Sequence, residues 1–177
     1  PTCASRSTRE RNDPMTDSTT NEVSPLARAI GRIPSGLFVA TTEGPDGPMG
    51  FVASFVMQAG FEPPTISIAV GKGRGHLEAM RSSGRFAVSV VDKPSSGVMS
   101  PFFKPAPEGQ TPFDALQVAK TQAGSTVLTD CLAWLDCKVT GEFETGDHVI
   151  VFGEVTDGDQ VRDGDSSVHL RKNGLGY

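Results

Sequence analysis

The chain has 177 residues and a formal net charge of −5, a length that suits one domain with a real core. No basic run is long enough to track a nucleic-acid backbone, and the longest apolar run, Val149-Ile150-Val151-Phe152, has the size of a strand and not of a membrane span. The three cysteines, Cys3, Cys131 and Cys137, form no C-x-x-C pair, which argues against a disulfide framework or structural zinc and fits a reducing cytosol.

Residues 1–22 are rich in Ser, Thr, Arg and Asn and have almost no apolar content, so they are expected to form a disordered tail ahead of a domain over 23–177. The arginines of this tail leave two origins open, an organelle-targeting remnant and an upstream translated stretch before Met15. Ser24-Pro25 reads as an N-cap followed by a first-turn proline. Leu26, Ile30 and Ile33 follow at helical spacing, and Pro34 is the expected stop. Gly36 to Thr42 is a strand rich in β-formers. The dense turn signal Gly44 to Pro48 leads to a second strand, Gly50 to Phe55, paired with it as a hairpin. A further apolar strand runs to Pro63-Pro64.

From Thr65 to Val70 the residues alternate, with Ile66, Ile68 and Val70 on one face and Thr65, Ser67 and Ala69 on the other, the mark of a half-buried strand. A flexible connection, Gly71 to Gly75, precedes one or two helical turns from His76 to Arg81, closed by Gly84. Phe86 to Val91 is another strand. Lys93 to Phe113 contains five prolines and reads as a functional cover or binding loop, with a short helix over Gly97 to Phe103. Leu132 to Phe143 and Asp147 to Thr156 make a second strand pair, in which Cys137 is a small core residue. Val168 to Arg171 adds a last strand. Six or seven strands in sequence, joined by short turns, predict a mainly β antiparallel barrel with a few short helices, not a doubly wound sheet.

Three segments have the makings of a site. In Gly71-Lys72-Gly73-Arg74-Gly75 the glycines let backbone N–H groups approach a phosphate, while Lys72, Arg74 and the following helix N-terminus supply positive charge. The pattern matches neither the Walker loop nor the dinucleotide fingerprint, and a solvated basic turn is the alternative. Val52-Ala53-Ser54-Phe55 offers small residues and a hydroxyl on which a planar ring can lie, or is an ordinary strand with one exposed serine. His148, at a barrel rim, meets a substrate, pairs with Asp147, or serves as a plain hydrogen-bonding residue. His76, His148 and His169 lack metal-ligand spacing, so no metal is expected. There is no G-x-S-x-G elbow for hydrolase chemistry. Asp157, Asp159, Asp163 and Asp165 read as a solvated turn and not a calcium loop.

Taken in order, I-G-R-I-P-S-G-L-F-V-A-T-T (Ile30 to Thr42), A-S-F-V-M-Q-A-G-F-E-P-P (Ala53 to Pro64), I-A-V-G-K-G-R (Ile68 to Arg74), G-R-F-A-V-S-V-V (Gly84 to Val91), G-D-H-V-I-V-F-G-E-V (Gly146 to Val155) and V-H-L-R-K-N-G-L-G-Y (Val168 to Tyr177) form a set. The segment Leu26 to Tyr177 resembles the flavin reductase-like, FMN-binding split-barrel family. It is especially similar to the flavin reductase domain at the C-terminus of cyanobacterial flavodiiron proteins. The resemblance implies a split barrel, usually a homodimer, with FMN near the subunit interface. It places the flavin ring beside Val52, Ala53, Ser54, Phe55, Gln58 and Ala59, and the phosphate near Lys72 and Arg74. His148 falls close to the nicotinamide, and His169 and Arg171 reach the pocket from the last strand. The chain departs from the family pattern at Val52, Phe55 and Leu170, where Thr, Ser and His are usual.

The function so implied is a cytoplasmic NAD(P)H-dependent flavin reductase, with NADH or NADPH as donor, in which nicotinamide passes hydride to FMN. The alternative is an FMN-binding electron-transfer module that serves an electron-acceptor protein without efficient turnover of its own. Neither nucleic acid nor membrane is expected as a partner.

Overall fold

The computed structural model of the protein describes residues 23–172 and residue 175, and the tail expected over residues 1–22 lies outside them. The first helix, α1 (Pro25–Ile30), starts as its sequence predicts, with Ser24 Oγ accepting a 3.1 Å hydrogen bond from the Ala27 N–H and Pro25 at its first position. It ends at Gly31, short of Pro34. Three-residue turn bonds, from the Arg32 and Ile33 N–H groups to the Ala29 and Ile30 carbonyls, carry the chain on to Pro34, and the Arg171 carbonyl oxygen lies 2.5 Å from where a Cβ on residue 31 would stand, so glycine fits best beneath the C-terminal segment.

Strand β1 (Ser35–Gly36) is followed by β2 (Phe38–Gly44) and β3 (Gly47–Ala53), which form the expected hairpin. Gly47, at φ +125°, accepts a backbone geometry that other residues resist. Then come β4 (Val56–Phe61) and β5 (Pro64–Gly71). Helix α2 (Gly75–Ser83) is longer than expected and is closed by left-handed Gly84, whose N–H donates to the Met80 carbonyl at 2.9 Å. After β6 (Arg85–Val90) the Pro-rich cover contains a 3-10 helix over Ser96–Phe102. The short hairpin of β7 (Val118–Lys120) and β8 (Thr126–Leu128) has no counterpart among the predicted elements. The chain continues through β9 (Ala133–Glu144), β10 (His148–Gln160) and β11 (Val168–His169). Asp157 and Asp159 belong to β10 and not to a turn, because the strand carries on past a bulge near Val155 and pairs them with Asp136 and Trp134.

Seven strands form one antiparallel sheet in the order β3-β2-β6-β9-β10-β5-β4. Its two edges, β3 and β4, are neighbours in sequence. Phe51 and Ala53 of β3 share one buried core with Ile66, Ile68 and Val70 of β5, so the sheet curls on itself as a split barrel. The alternation of β5 thus holds as predicted: its isoleucines and Val70 face inward. Cys137 lies in the same core, and Leu77 and Met80 of α2 plug its end. A second core, around Val39, Val91, Val98, Phe113 and Leu128, forms on the opposite face under the Pro-rich cover.

The unforeseen β7–β8 hairpin is pinned by polar groups. Asp136, fully buried on β9, accepts from Thr121 Oγ1 at 2.6 Å and Ser125 Oγ at 2.7 Å, and pairs with Arg85 at 2.9 Å. Glu43 accepts from Thr126 N–H and Lys120 Nζ. A buried carboxylate is tolerable when its acceptor sites are filled in this way.

Candidate functional site

Two adjoining cavities open beside the barrel edge and share Ser54 and Arg171. The larger, about 690 Å³, has a floor of Leu37, Phe51, Val52, Ala53 and Ser54. Met99, Phe102 and Phe103 of the cover form its wall, and Arg74, His169, Leu170, Arg171 and Lys172 complete it. The smaller, about 400 Å³, is bounded by Ile30 and Ile33 from the α1 segment and by Phe55, Met57, Ala69 and Ile150 on the outer face of the barrel.

Arg171 organises the junction. Its Nη2 donates a 2.8 Å hydrogen bond to Ser54 Oγ, and its guanidinium lies 4.1 Å from the centre of the Phe55 ring. That geometry suits a cation–π contact. The arginine is held there because β11 pairs with β1, with His169 opposite Ser35. Phe55 in turn meets His148 edge-on, with ring centres 5.9 Å apart. The His148 Nδ1–H donates to Asp147 at 2.9 Å, and that bond holds the Asp147 carboxyl below its ordinary range. His148 therefore stands behind Phe55 and is not among the residues lining either cavity.

The two cations of the glycine-rich connection part company. Arg74 lines the larger cavity, its side chain lying over Gly71. Lys72 turns to the β9–β10 hairpin, where Nζ pairs with Glu144 at 2.9 Å and its N–H donates to the Asp147 carbonyl. This pairing lowers the Glu144 carboxyl from its ordinary value. Gln58 and Ala59 are exposed on edge strand β4, at a register shift between Gln58 and Gly60, and line neither cavity. Val52, Ala53, Ser54, Phe55, Arg74, His169 and Arg171 are thus brought together; His148 stands one ring away; Lys72, Gln58 and Ala59 lie apart.

Sequence reasoning missed Met99, Phe102, Phe103 and Lys172. The cover's proline content marked the segment as a binding loop but not which side chains it presents. His76 was also passed over. Its Nε2 lies 3.2 Å from the Gly50 carbonyl oxygen, and its ring packs 4.8 Å from Phe51 of the cavity floor. A carbonyl only accepts, so Nε2 carries the hydrogen; Nδ1 is then a bare acceptor, buried without a hydrogen-bond partner. Burial lowers the His76 pKa from its ordinary value, and Arg74 nearby adds to this.

The larger cavity fits a flavin. Within the floor, the small side chains of Ala53 and Ser54 beside Val52 admit a flat ring, Ser54 offers a hydroxyl, and the volume falls within the range of ligand pockets. Arg74, Arg171 and Lys172 line it with no carboxylate among the described residues, so it favours an anionic tail although the chain is net negative.

The chain is 36% identical over 156 residues to Diflavin flavoprotein A 1 of Synechocystis, covering 87% of this chain and 27% of that protein. It is 31% identical over 153 residues to a protein of Rhizobium meliloti named "Probable flavin reductase", covering 86% of this chain and 45% of that one. The chain therefore spans about a quarter to a half of the length of these relatives. Among solved structures, the NADH:FAD oxidoreductase SgcE6 of Streptomyces globisporus C-1027 superposes with a TM-score of 0.74 at 27% identity, over 82% of this chain and 86% of that one. SgcE6 has also been solved in complex with NAD and FAD fragments. Residues 30–174 match the model of the flavin reductase like domain, and this chain belongs to that family.

Proposed function

We propose that this chain is an NAD(P)H-dependent flavin reductase that binds FMN in the larger cavity. The observation that carries the reading is the convergence of three distant segments on that cavity: the Val52-Ala53-Ser54 floor, Arg74 ahead of α2, and Arg171 on the C-terminal segment. When bound, the flavin supplies the centre that accepts hydride and passes electrons on. The chain's part is to bind and orient. Ser54 and the adjacent backbone set the ring plane. Arg74 and the first N–H groups of α2 hold the phosphate by charge-assisted bonds. Arg171 ties Ser54 to Phe55, and His148 supports Phe55 from behind, which fixes the place where a nicotinamide would lie.

The same reading includes a homodimer, which the exposed apolar surface supports. Leu26, Ile33, Met57 and Phe61 are all largely exposed. Ile33 and Met57 also line the smaller cavity. The α1 segment and edge strand β4 thus present apolar side chains that their own barrel leaves uncovered, as expected where a second copy docks. A cytosolic setting is supported by Cys131 and Cys137, free thiols that burial pushes up to about 11 and about 12.

One observation favours a second reading. The chain corresponds to 27% of Diflavin flavoprotein A 1, as an FMN module that serves an electron-acceptor protein would. One experiment decides between the two: an absorbance spectrum of the purified chain with FMN, followed by anaerobic NADH or NADPH. Rapid bleaching of bound flavin by one nucleotide supports the reductase and names its donor. Bound flavin that stays oxidised supports the module. No flavin binding overturns both.

A further inference from the structure

The larger cavity holds more recognition chemistry than a flavin mononucleotide uses. With the ring on the Val52–Ser54 floor and the phosphate at Arg74, the wall formed by Phe103 and Lys172 beside Arg171 is left over. Phe103 is 67% exposed although it lines a cavity. It is also firmly mounted. Its N–H donates to the Ser100 carbonyl at 3.3 Å, and Pro101 stiffens the 3-10 helix before it. The adjacent Phe102 meets Phe113 edge to face at 5.4 Å, directly above Gly50, where a Cβ would come within 2.6 Å of the Phe102 ring. A solvent-facing aromatic on an anchored backbone, in one cavity with two cations, is the arrangement that stacks a nucleobase and holds the phosphates attached to it.

We propose that Phe103, with Arg171 and Lys172, forms a subsite for an adenine nucleotide, distinct from the floor that takes the flavin ring. The proposal rests on reading the cavity as a flavin and nicotinamide site. Two molecules carry the required group: a dinucleotide flavin and the nicotinamide donor. Phe103 then decides how far the protein prefers FAD to FMN, or a dinucleotide donor to a mononucleotide one.

The test titrates the purified chain with ADP alone by calorimetry, for the native protein, Phe103→Ala and Phe103→Tyr. The same three proteins are then titrated with FMN, FAD, NADH and reduced nicotinamide mononucleotide. Loss of one base stack weakens ADP binding in Phe103→Ala by at least about fivefold and by more than it weakens FMN binding, while Phe103→Tyr keeps it. If FAD weakens with ADP, the subsite takes the adenine of the flavin; if NADH weakens while FAD does not, it takes that of the donor. The proposal is overturned if native protein does not bind ADP, if Phe103→Ala binds it as well as native does, or if FMN weakens in parallel with ADP. ADP binding that depends on Phe103 in a protein that binds no flavin supports the subsite and overturns the proposed function instead.

Discussion

Gly50 sits on β3 beneath the aromatic wall, and Gly50→Ala measures how tightly that wall is seated. The new Cβ would stand 2.6 Å from Phe102 Cε1 and 2.9 Å from Phe113 Cζ, where carbon atoms settle at ~3.5–4.0 Å. Phe102 must therefore retreat by roughly 1 Å. It is not free to do so, because it packs edge to face on Phe113, which is itself buried. Overpacking of this kind costs about 1–3 kcal/mol. The smaller entropy of the unfolded alanine chain returns about 0.4–1 kcal/mol. A net loss of about 1–2 kcal/mol lowers Tm by about 2–8 °C for a domain of this size. Thermal unfolding followed by circular dichroism reads this directly. Phe102→Leu in the same chain makes room for the methyl group, so the double variant is more stable than the sum of the two single effects. An unchanged Tm for Gly50→Ala, or strict additivity in the double variant, refutes the seating of Phe102 on Gly50.

Arg74→Ala weakens FMN binding by about tenfold, the loss of one charged hydrogen bond, whereas Lys72→Ala, which removes only the exposed pair with Glu144, leaves it nearly unchanged; flavin fluorescence titration separates the two. Ser54→Ala deprives Arg171 of its 2.8 Å partner and reduces flavin affinity with little change in melting temperature, checked by titration and calorimetry on the same sample. Asp136→Ala removes the ion partner of Arg85, which keeps only the Thr156 and Ser125 hydroxyls, and takes the shared acceptor from Thr121 and Ser125; the expected loss in urea unfolding is about 3 kcal/mol. His76 has a folded pKa below its ordinary 6.5, so the unfolded chain binds more protons below that value. Its share of stability is fully present above about pH 6.5 and is lost as pH falls through the folded pKa. His76→Gln keeps a donor for Gly50 but does not titrate, and its stability falls less as pH drops below about 6.5.

Local order was readable where neighbouring residues decide it. The Ser24-Pro25 cap, the alternation of Ile66, Ile68 and Val70, the turn at Gly47 and the stop at Gly84 each follow from one residue's own geometry or from a short period. The β7–β8 hairpin was not readable, because its strands are too short to show a period and are held by Asp136 and Glu43 from elsewhere in the chain. Pro34 marks where the helical turn gives out, but the tightening from α-helix to three-residue turn bonds at Gly31 to Ile33 carries no signal of its own in the sequence.

By itself the sequence determined that this chain is an antiparallel β domain with small residues at Val52 to Ser54, cations in the Gly71 to Gly75 connection and a motif-bearing C-terminal segment. Strand periodicity and turn chemistry act within a few residues, so they survive without knowledge of the fold. Only the tertiary structure decided which of these groups share a cavity. Arg171 reaches Ser54 across 117 positions of sequence, and Glu144 draws Lys72 away across 72. A salt bridge or a stacked ring depends on distances of a few ångströms between segments remote along the chain, and those distances exist only once the sheet has curled and β11 has paired with β1.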